Sequence, residues 1–110
     1  KGSKVLILGL AYKANVDDCR ESPSFVLMQK LEAKGAVVEY NDIFLPVIPS
    51  TREHAHFTGK KSVEIEDAFD LILVSTNHDE YKSFDFSGYS CSLVDSRNCI
   101  SKKPKKYYNA

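Results

Sequence analysis

Lys13 and Arg20 stand in the stretch GLAYKANVDDCRESPS, Gly9 to Ser24, and Arg97 stands in VDSRN, Val94 to Asn98. These are side chains that grip phosphate. Arginine presents a planar fork whose N–H groups pair with phosphate oxygens, and lysine supplies a compact charge. Ser22-Pro23 has the composition of a helix N-cap followed by a first helical residue. A helix N-terminus there would add unpaired N–H groups and a partial positive charge. Gathered in one crevice, these groups would form an anion site. Each also has a plainer explanation: Arg20 pairing with Asp17 or Glu21, and Arg97 pairing with Asp95. Exposed pairs of that kind contribute little. A lone loop lysine says less than an arginine, so Lys13 gains its interest from the company it keeps.

Other chemistries find weaker support. Cys19 lies beside Arg20, which favours thiolate, but no base is placed near it by the sequence. Cys91 and Cys99 flank a short apolar run and are expected to be partly buried. The three cysteines form no C-x-x-C pair, which suits reduced thiols in the cytoplasm. His54-Ala-His56 offers two nitrogens and no third ligand, so it reads as loop surface and no metal site is expected. His78 joins no motif. A dinucleotide fingerprint would need G-x-G-x-x-G after the first strand. Only Gly9 is present, followed by Leu10, Ala11 and the bulky Tyr12. Asp42 stands where a ribose-binding acid would, but without the glycines.

Placing the charged groups is the work of the rest of the chain. Its 110 residues, 43 % hydrophobic, suit one globular domain, 1–110. Fifteen basic and 15 acidic residues balance to zero net charge, which argues against nucleic acid as a partner. No apolar run reaches the roughly 20 residues of a membrane span, and no signal peptide is visible. KGSKVLILG lacks an initiator Met and is expected to be a cut end. Val5–Leu8 reads as a buried strand. Ser24–Lys34 reads as a helix carrying Phe25, Met28 and Leu31 on one face and stopping at Gly35. Ala36–Tyr40 reads as a second strand, 43–61 as a long loop, and Ser62–Phe69 as a short helix. Leu71–Val74 is a third strand, Asp79–Phe84 a helical turn, and Ser92–Val94 a fourth strand. The lysine-rich SKKPKKYY is expected to be a solvated tail.

Strands alternating with helices imply an α/β fold, a Rossmann-like three-layer domain with a mostly parallel sheet of about four to six strands. If the second strand pairs on one side of the first and the third on the other, the ligand crevice lies between the first and third strands, at their carboxyl ends. Lys13 and Arg20 follow the first strand, Asn77 and His78 the third, and Arg97 the fourth. All are therefore expected on one edge of the sheet.

GLAYKANVDDCRESPS, STNHDEYKSFDF and VDSRN closely resemble, in order and spacing, three landmarks of the UDP-binding C-terminal domain of the UDP-glucose/GDP-mannose dehydrogenase family. PVIPSTREHAHFTGKKS is similar to the UDP-N-acetylglucosamine 6-dehydrogenase branch. The resemblance implies that residues 1–110 are one part of a larger cytoplasmic, homo-oligomeric enzyme of polysaccharide biosynthesis. That enzyme would use two NAD to oxidise the C6 alcohol of a UDP-sugar to a carboxylate. It implies that Tyr12 and Lys13 contact the nucleotide sugar, that Arg97 binds substrate, and that Arg20 reaches the NAD pyrophosphate. The nucleophilic cysteine and most of the NAD site would lie in the rest of the dehydrogenase chain, leaving this segment inactive alone. Ser96 and Asn98 depart from the residues that commonly flank the arginine in the family. The alternative is a free-standing, non-catalytic nucleotide or anion-binding module.

Overall fold

The computed structural model describes residues 2–10, 23–48 and 57–109. Strand β1 runs Lys4–Leu8, helix α1 Pro23–Ala33, strand β2 Val37–Asn41, strand β3 Leu71–Val74, helix α2 Asp79–Ser83, strand β4 Ser92–Asp95 and strand β5 Tyr107–Asn109. The strands form one five-stranded sheet in the order β2-β1-β3-β4-β5, with every neighbouring pair parallel. β2 and β3 flank β1 on opposite sides, which meets the condition set above, so the crevice between β1 and β3 is the switch point.

β1 shows why the sheet is covered on both sides. Successive side chains of a strand point to opposite faces. Val5 and Ile7 join Phe25 and Met28 of α1, with Val38, Tyr40, Leu45, Ile48 and Phe57, in one core. Leu6 and Leu8 join Ile72, Val74, Tyr81, Phe86, Leu93 and Ile100 in the other. A strand buried on both faces must be apolar throughout, which is what Val5–Leu8 supplies. Helix α1 ends in a Schellman arrangement. The Ala36 N–H donates to the Leu31 carbonyl at 3.1 Å and the Gly35 N–H to the Glu32 carbonyl at 2.9 Å. Gly35 takes φ +93°, the left-handed conformation that this turn requires.

Two expectations are corrected. Residues 62–69 are not helical. Val63 and Ile65 are two apart, the alternation of an extended segment, and both pack with Phe69 against the second core. The Val63 N–H donates to the Tyr40 carbonyl at 2.9 Å, and the Asn41 amide donates to the Val63 carbonyl at 2.6 Å. The lysine-rich end is not simply a tail either. Pro104 is buried, and Tyr107–Asn109 pairs with Leu93–Asp95 as β5, while the four lysines before it stay exposed. Lys103 places its ammonium 4.8 Å from the centre of the Tyr107 ring. No helix among the described residues is long and apolar enough to cross a membrane.

Candidate functional site

The carboxyl ends of β1 and β3 approach so closely that only glycine fits between them. Gly9 has φ +96°, and a Cβ built there would lie 2.3 Å from Thr76 Cβ and 2.8 Å from Thr76 N. Above this contact the Ser75 and Thr76 N–H groups donate to the Leu8 carbonyl at 2.8 and 3.2 Å. The single glycine of the first turn therefore packs strand against strand. Among the described residues it leaves no open space beside Gly9 for a pyrophosphate to approach.

Helix α1 is tied to the same crevice. Ser24, buried in its first turn, donates through Oγ to the Gly9 carbonyl at 3.0 Å and lies 2.6 Å from Ser75 Oγ. With Ser24's proton on Gly9, Ser75 is the donor of that pair. The Ser75 carbonyl in turn accepts from Arg97 Nε at 3.0 Å. Arg97 is exposed, and its terminal guanidinium nitrogens make no ion pair or hydrogen bond with another described residue. The fork is thus held by one edge at the rim, with its terminal nitrogens unpaired among the described residues.

Asp95, the other partner considered for Arg97, is occupied differently. Its carboxylate is fully buried at the end of β4. Oδ1 accepts the Arg97 backbone N–H at 3.1 Å, and Oδ2 accepts the Cys99 and Ile100 N–H groups at 2.8 and 2.9 Å and the Tyr107 hydroxyl at 2.7 Å. Burial alone would raise its pKa. The four donors outweigh that and hold it below the usual carboxylate range. Asp95 shapes the turn that presents Arg97, with Asn98 at φ +55°, and does not neutralise the guanidinium.

On the other side of β1, Asp42 is turned inward. It is fully buried, with Oδ2 accepting the Leu10 N–H at 2.7 Å and Oδ1 the Phe44 N–H at 2.9 Å. His78 Nε2 lies 2.9 Å from Oδ2, and neither side chain of the pair is exposed. The imidazole is flanked by the rings of Phe44 and Tyr81, at centroid distances of 4.9 and 5.6 Å. Tyr81 donates its hydroxyl to the Asn41 carbonyl at 2.5 Å. Burial, with the nearby charges of Asp42 and Glu80, pushes the ionisation of Tyr81 far up, so the phenol remains a donor. Asp42 is therefore a junction of strand ends, and its oxygens do not face a ribose.

Of the residues singled out in the sequence, Arg97 stands at the rim where β1, β3 and β4 end. Tyr12, Lys13, Cys19, Arg20, Ser22, His54 and His56 lie outside the described residues. Cys91 is buried and Cys99 half-buried; burial first, then neighbouring Asp67 and Asp95 respectively, pushes each thiol up to about 11. Both therefore resist forming the thiolate. Among the described residues no group of three or more His, Cys, Asp or Glu side chains is placed to hold a metal ion. Sequence reasoning missed Ser24 and Ser75, whose signal was faint: two serines, one opening a helix and one closing a strand.

Known proteins show the same construction. The description "UDP-glucose/GDP-mannose dehydrogenase family, UDP binding domain" matches residues 6–102. A UDP-N-acetyl-D-mannosamine dehydrogenase of Methanocaldococcus jannaschii is 38 % identical over 103 residues, covering 94 % of this chain and 21 % of its own length. The UDP-glucose 6-dehydrogenase YwqF of Bacillus subtilis is 31 % identical over 112 residues, covering 91 % of this chain and 24 % of its own. The UDP-glucose dehydrogenase structure from Pyrobaculum islandicum superposes with a TM-score of 0.71 at 27 % identity, over 99 % of this chain and 25 % of that one. The chain thus spans less than a quarter of the length of these two curated relatives.

Proposed function

The chain belongs to the UDP-glucose/GDP-mannose dehydrogenase family, and from that premise we propose that it is the UDP-binding domain of a longer NAD-dependent UDP-sugar 6-dehydrogenase. In this proposal Tyr12, Lys13 and Arg97 hold the nucleotide sugar, and Arg20 reaches across to the pyrophosphate of NAD. NAD, when bound, accepts hydride as the C6 alcohol is oxidised to a carboxylate. The described residues do not fit a dinucleotide: Thr76 fills the space beside Gly9, and Asp42 is engaged by Leu10, Phe44 and His78. Most of the cofactor site is accordingly assigned to the rest of the dehydrogenase, together with the nucleophilic cysteine. The raised pKa values of Cys91 and Cys99 support leaving both out of that role.

The observation that carries the proposal is the posture of Arg97. A guanidinium fixed through Nε at the crevice mouth, with its terminal nitrogens available, suits a diphosphate. The preferred substrate is UDP-N-acetylglucosamine, on the likeness of the segment from Pro46 to Ser62. UDP-N-acetylmannosamine and UDP-glucose, named in the relatives, are the competing arms of the test. A homo-oligomer in the cytoplasm completes the proposal.

The test is steady-state kinetics of the full-length enzyme with each of the three UDP-sugars, following NADH. Arg97→Ala is expected to weaken the UDP-sugar by about 2 kcal/mol, roughly thirtyfold in KM, because a desolvated charge pair loses one member. Arg20→Ala is expected to raise the KM for NAD more than that for the sugar. UDP binding to the wild-type enzyme with no oxidation of any of the three sugars would favour the non-catalytic module instead.

A further inference from the structure

Arg97 follows β4 but is gripped from β3. Its Nε donates to the Ser75 carbonyl at 3.0 Å, and the hydroxyl of Ser96, one residue earlier, donates to the Val74 carbonyl at 2.5 Å. Two successive carbonyls at the end of β3 thus hold two successive side chains of the turn after β4. Ser75 is in turn pinned by two other elements. Its N–H donates to the Leu8 carbonyl of β1 at 2.8 Å. Its hydroxyl donates to Ser24 Oγ at 2.6 Å, and Ser24, in the first turn of α1, is itself fixed on the Gly9 carbonyl at 3.0 Å. Ser24 is buried, Ser75 half-buried and Arg97 exposed, so the chain of contacts runs from the core out to the rim.

We propose that Ser75 is a positioning residue for the UDP moiety: its hydroxyl, locked on Ser24, aims the carbonyl that holds Arg97 Nε, and so presets the guanidinium for the diphosphate. The inference deepens the binding role proposed above for Arg97 and rests on it. Its physical basis is preorganisation. An exposed arginine has several side-chain torsions and samples many directions unless something fixes its far end. A hydrogen bond at Nε orients the planar fork and leaves both terminal nitrogens outside the contact. A ligand that meets a preset fork loses less freedom on binding. The Ser75 carbonyl can preset it only while its own peptide stays still. Without the Ser75 hydroxyl that peptide is anchored on β1 but no longer on α1, and the buried Ser24 oxygen loses one donor.

The experiment titrates UDP and NAD separately into the full-length protein by calorimetry, so it does not depend on which sugar is oxidised. Ser75→Ala is expected to weaken UDP about fivefold, the loss of one hydrogen bond, and to leave NAD unchanged. Ser75→Thr keeps the hydroxyl and is expected to recover most of that loss. In an Arg97→Ala background, Ser75→Ala is expected to add nothing, because the serine acts through the arginine. Unchanged UDP affinity in Ser75→Ala, equal weakening of UDP and NAD, no recovery in Ser75→Thr, or the same fivefold loss without the arginine would each overturn the proposal. Should Ser75→Ala not fold, Arg97→Lys reads the contact from the other side. It keeps the charge, has no Nε–H, and is expected to weaken UDP at least as much; wild-type affinity in it would count against the grip. Arg97→Ala separates the two levels. If it leaves UDP affinity unchanged, the binding role is wrong and the positioning role falls with it. If it weakens UDP and Ser75→Ala does not, only the positioning role is lost.

Discussion

At the scale of single residues, the crevice rests on positions with no freedom to change. Gly9 combines a φ of +96° with a space already filled by Thr76. Gly9→Ala would be strained by its backbone and would push against a neighbouring Cβ and main-chain nitrogen. The expected cost is about 3 kcal/mol or more, read as a lowered unfolding midpoint with weakened UDP-sugar binding. An unchanged midpoint would mean that the β1–β3 contact relaxes easily. Arg97 was legible in the sequence as a cation on the right edge, because a parallel sheet sends every strand end the same way. Its posture was not legible. Nothing in VDSRN says that Asp95 turns away to four other donors, or that Ser75 offers its carbonyl to Nε. Three of the donors to Asp95 come from residues beyond that stretch, and the Ser75 contact joins positions 22 apart, which no local pattern encodes.

At the scale of elements, legibility followed hydrophobic spacing. Val5–Leu8 and Leu71–Val74 are uninterrupted apolar runs, and both are strands. α1 was readable from Phe25, Met28 and Leu31 and from Gly35 at its stop. The segment 62–69 misled because it is short and its apolar residues fit either period. What decides it is the pair of hydrogen bonds Val63 makes with Tyr40 and Asn41. β5 was hidden by its lysines, which mark exposure but do not exclude a strand at the edge of a sheet. Its aromatic pair carries the signal: Tyr107 reaches back to Asp95, which stands beside Asn109 in the β4–β5 register. Tyr107→Phe removes one of the donors that lower the Asp95 pKa. A depressed carboxylate contributes stability above its unfolded value, about 3.9, and loses it as pH falls through the folded value. Tyr107→Phe is therefore expected to move the Asp95 pKa upward and to flatten the acid side of the stability curve. Carboxyl titration by NMR checks both signs, and an unchanged Asp95 would deny β5 its anchoring role.

At the scale of the molecule, β1 divides the chain into two cores and the carboxyl edge gathers what both support. The first core holds α1 and, through Ser24, the crevice between β1 and β3. The second carries α2 and β4, and with them His78 and the Arg97 turn. Loosening the second core should therefore disturb the carboxyl edge without touching it. Cys91 and Cys99, at the two ends of β4, provide the means. Burial holds both thiols neutral up to about 11, against an ordinary value near 9. A raised thiol pKa contributes stability that is complete below the unfolded value and lost as pH rises through the folded one. Between about pH 9 and 11 the domain should lose stability, and Cys91→Ala with Cys99→Ser should flatten that fall. Below pH 9 both thiols should alkylate on the order of a hundredfold more slowly than a free cysteine, since two pH units separate their thiolate fractions. Rapid labelling of Cys91 in the folded enzyme at neutral pH would show that this core opens on its own, and that the edge it supports is not preformed.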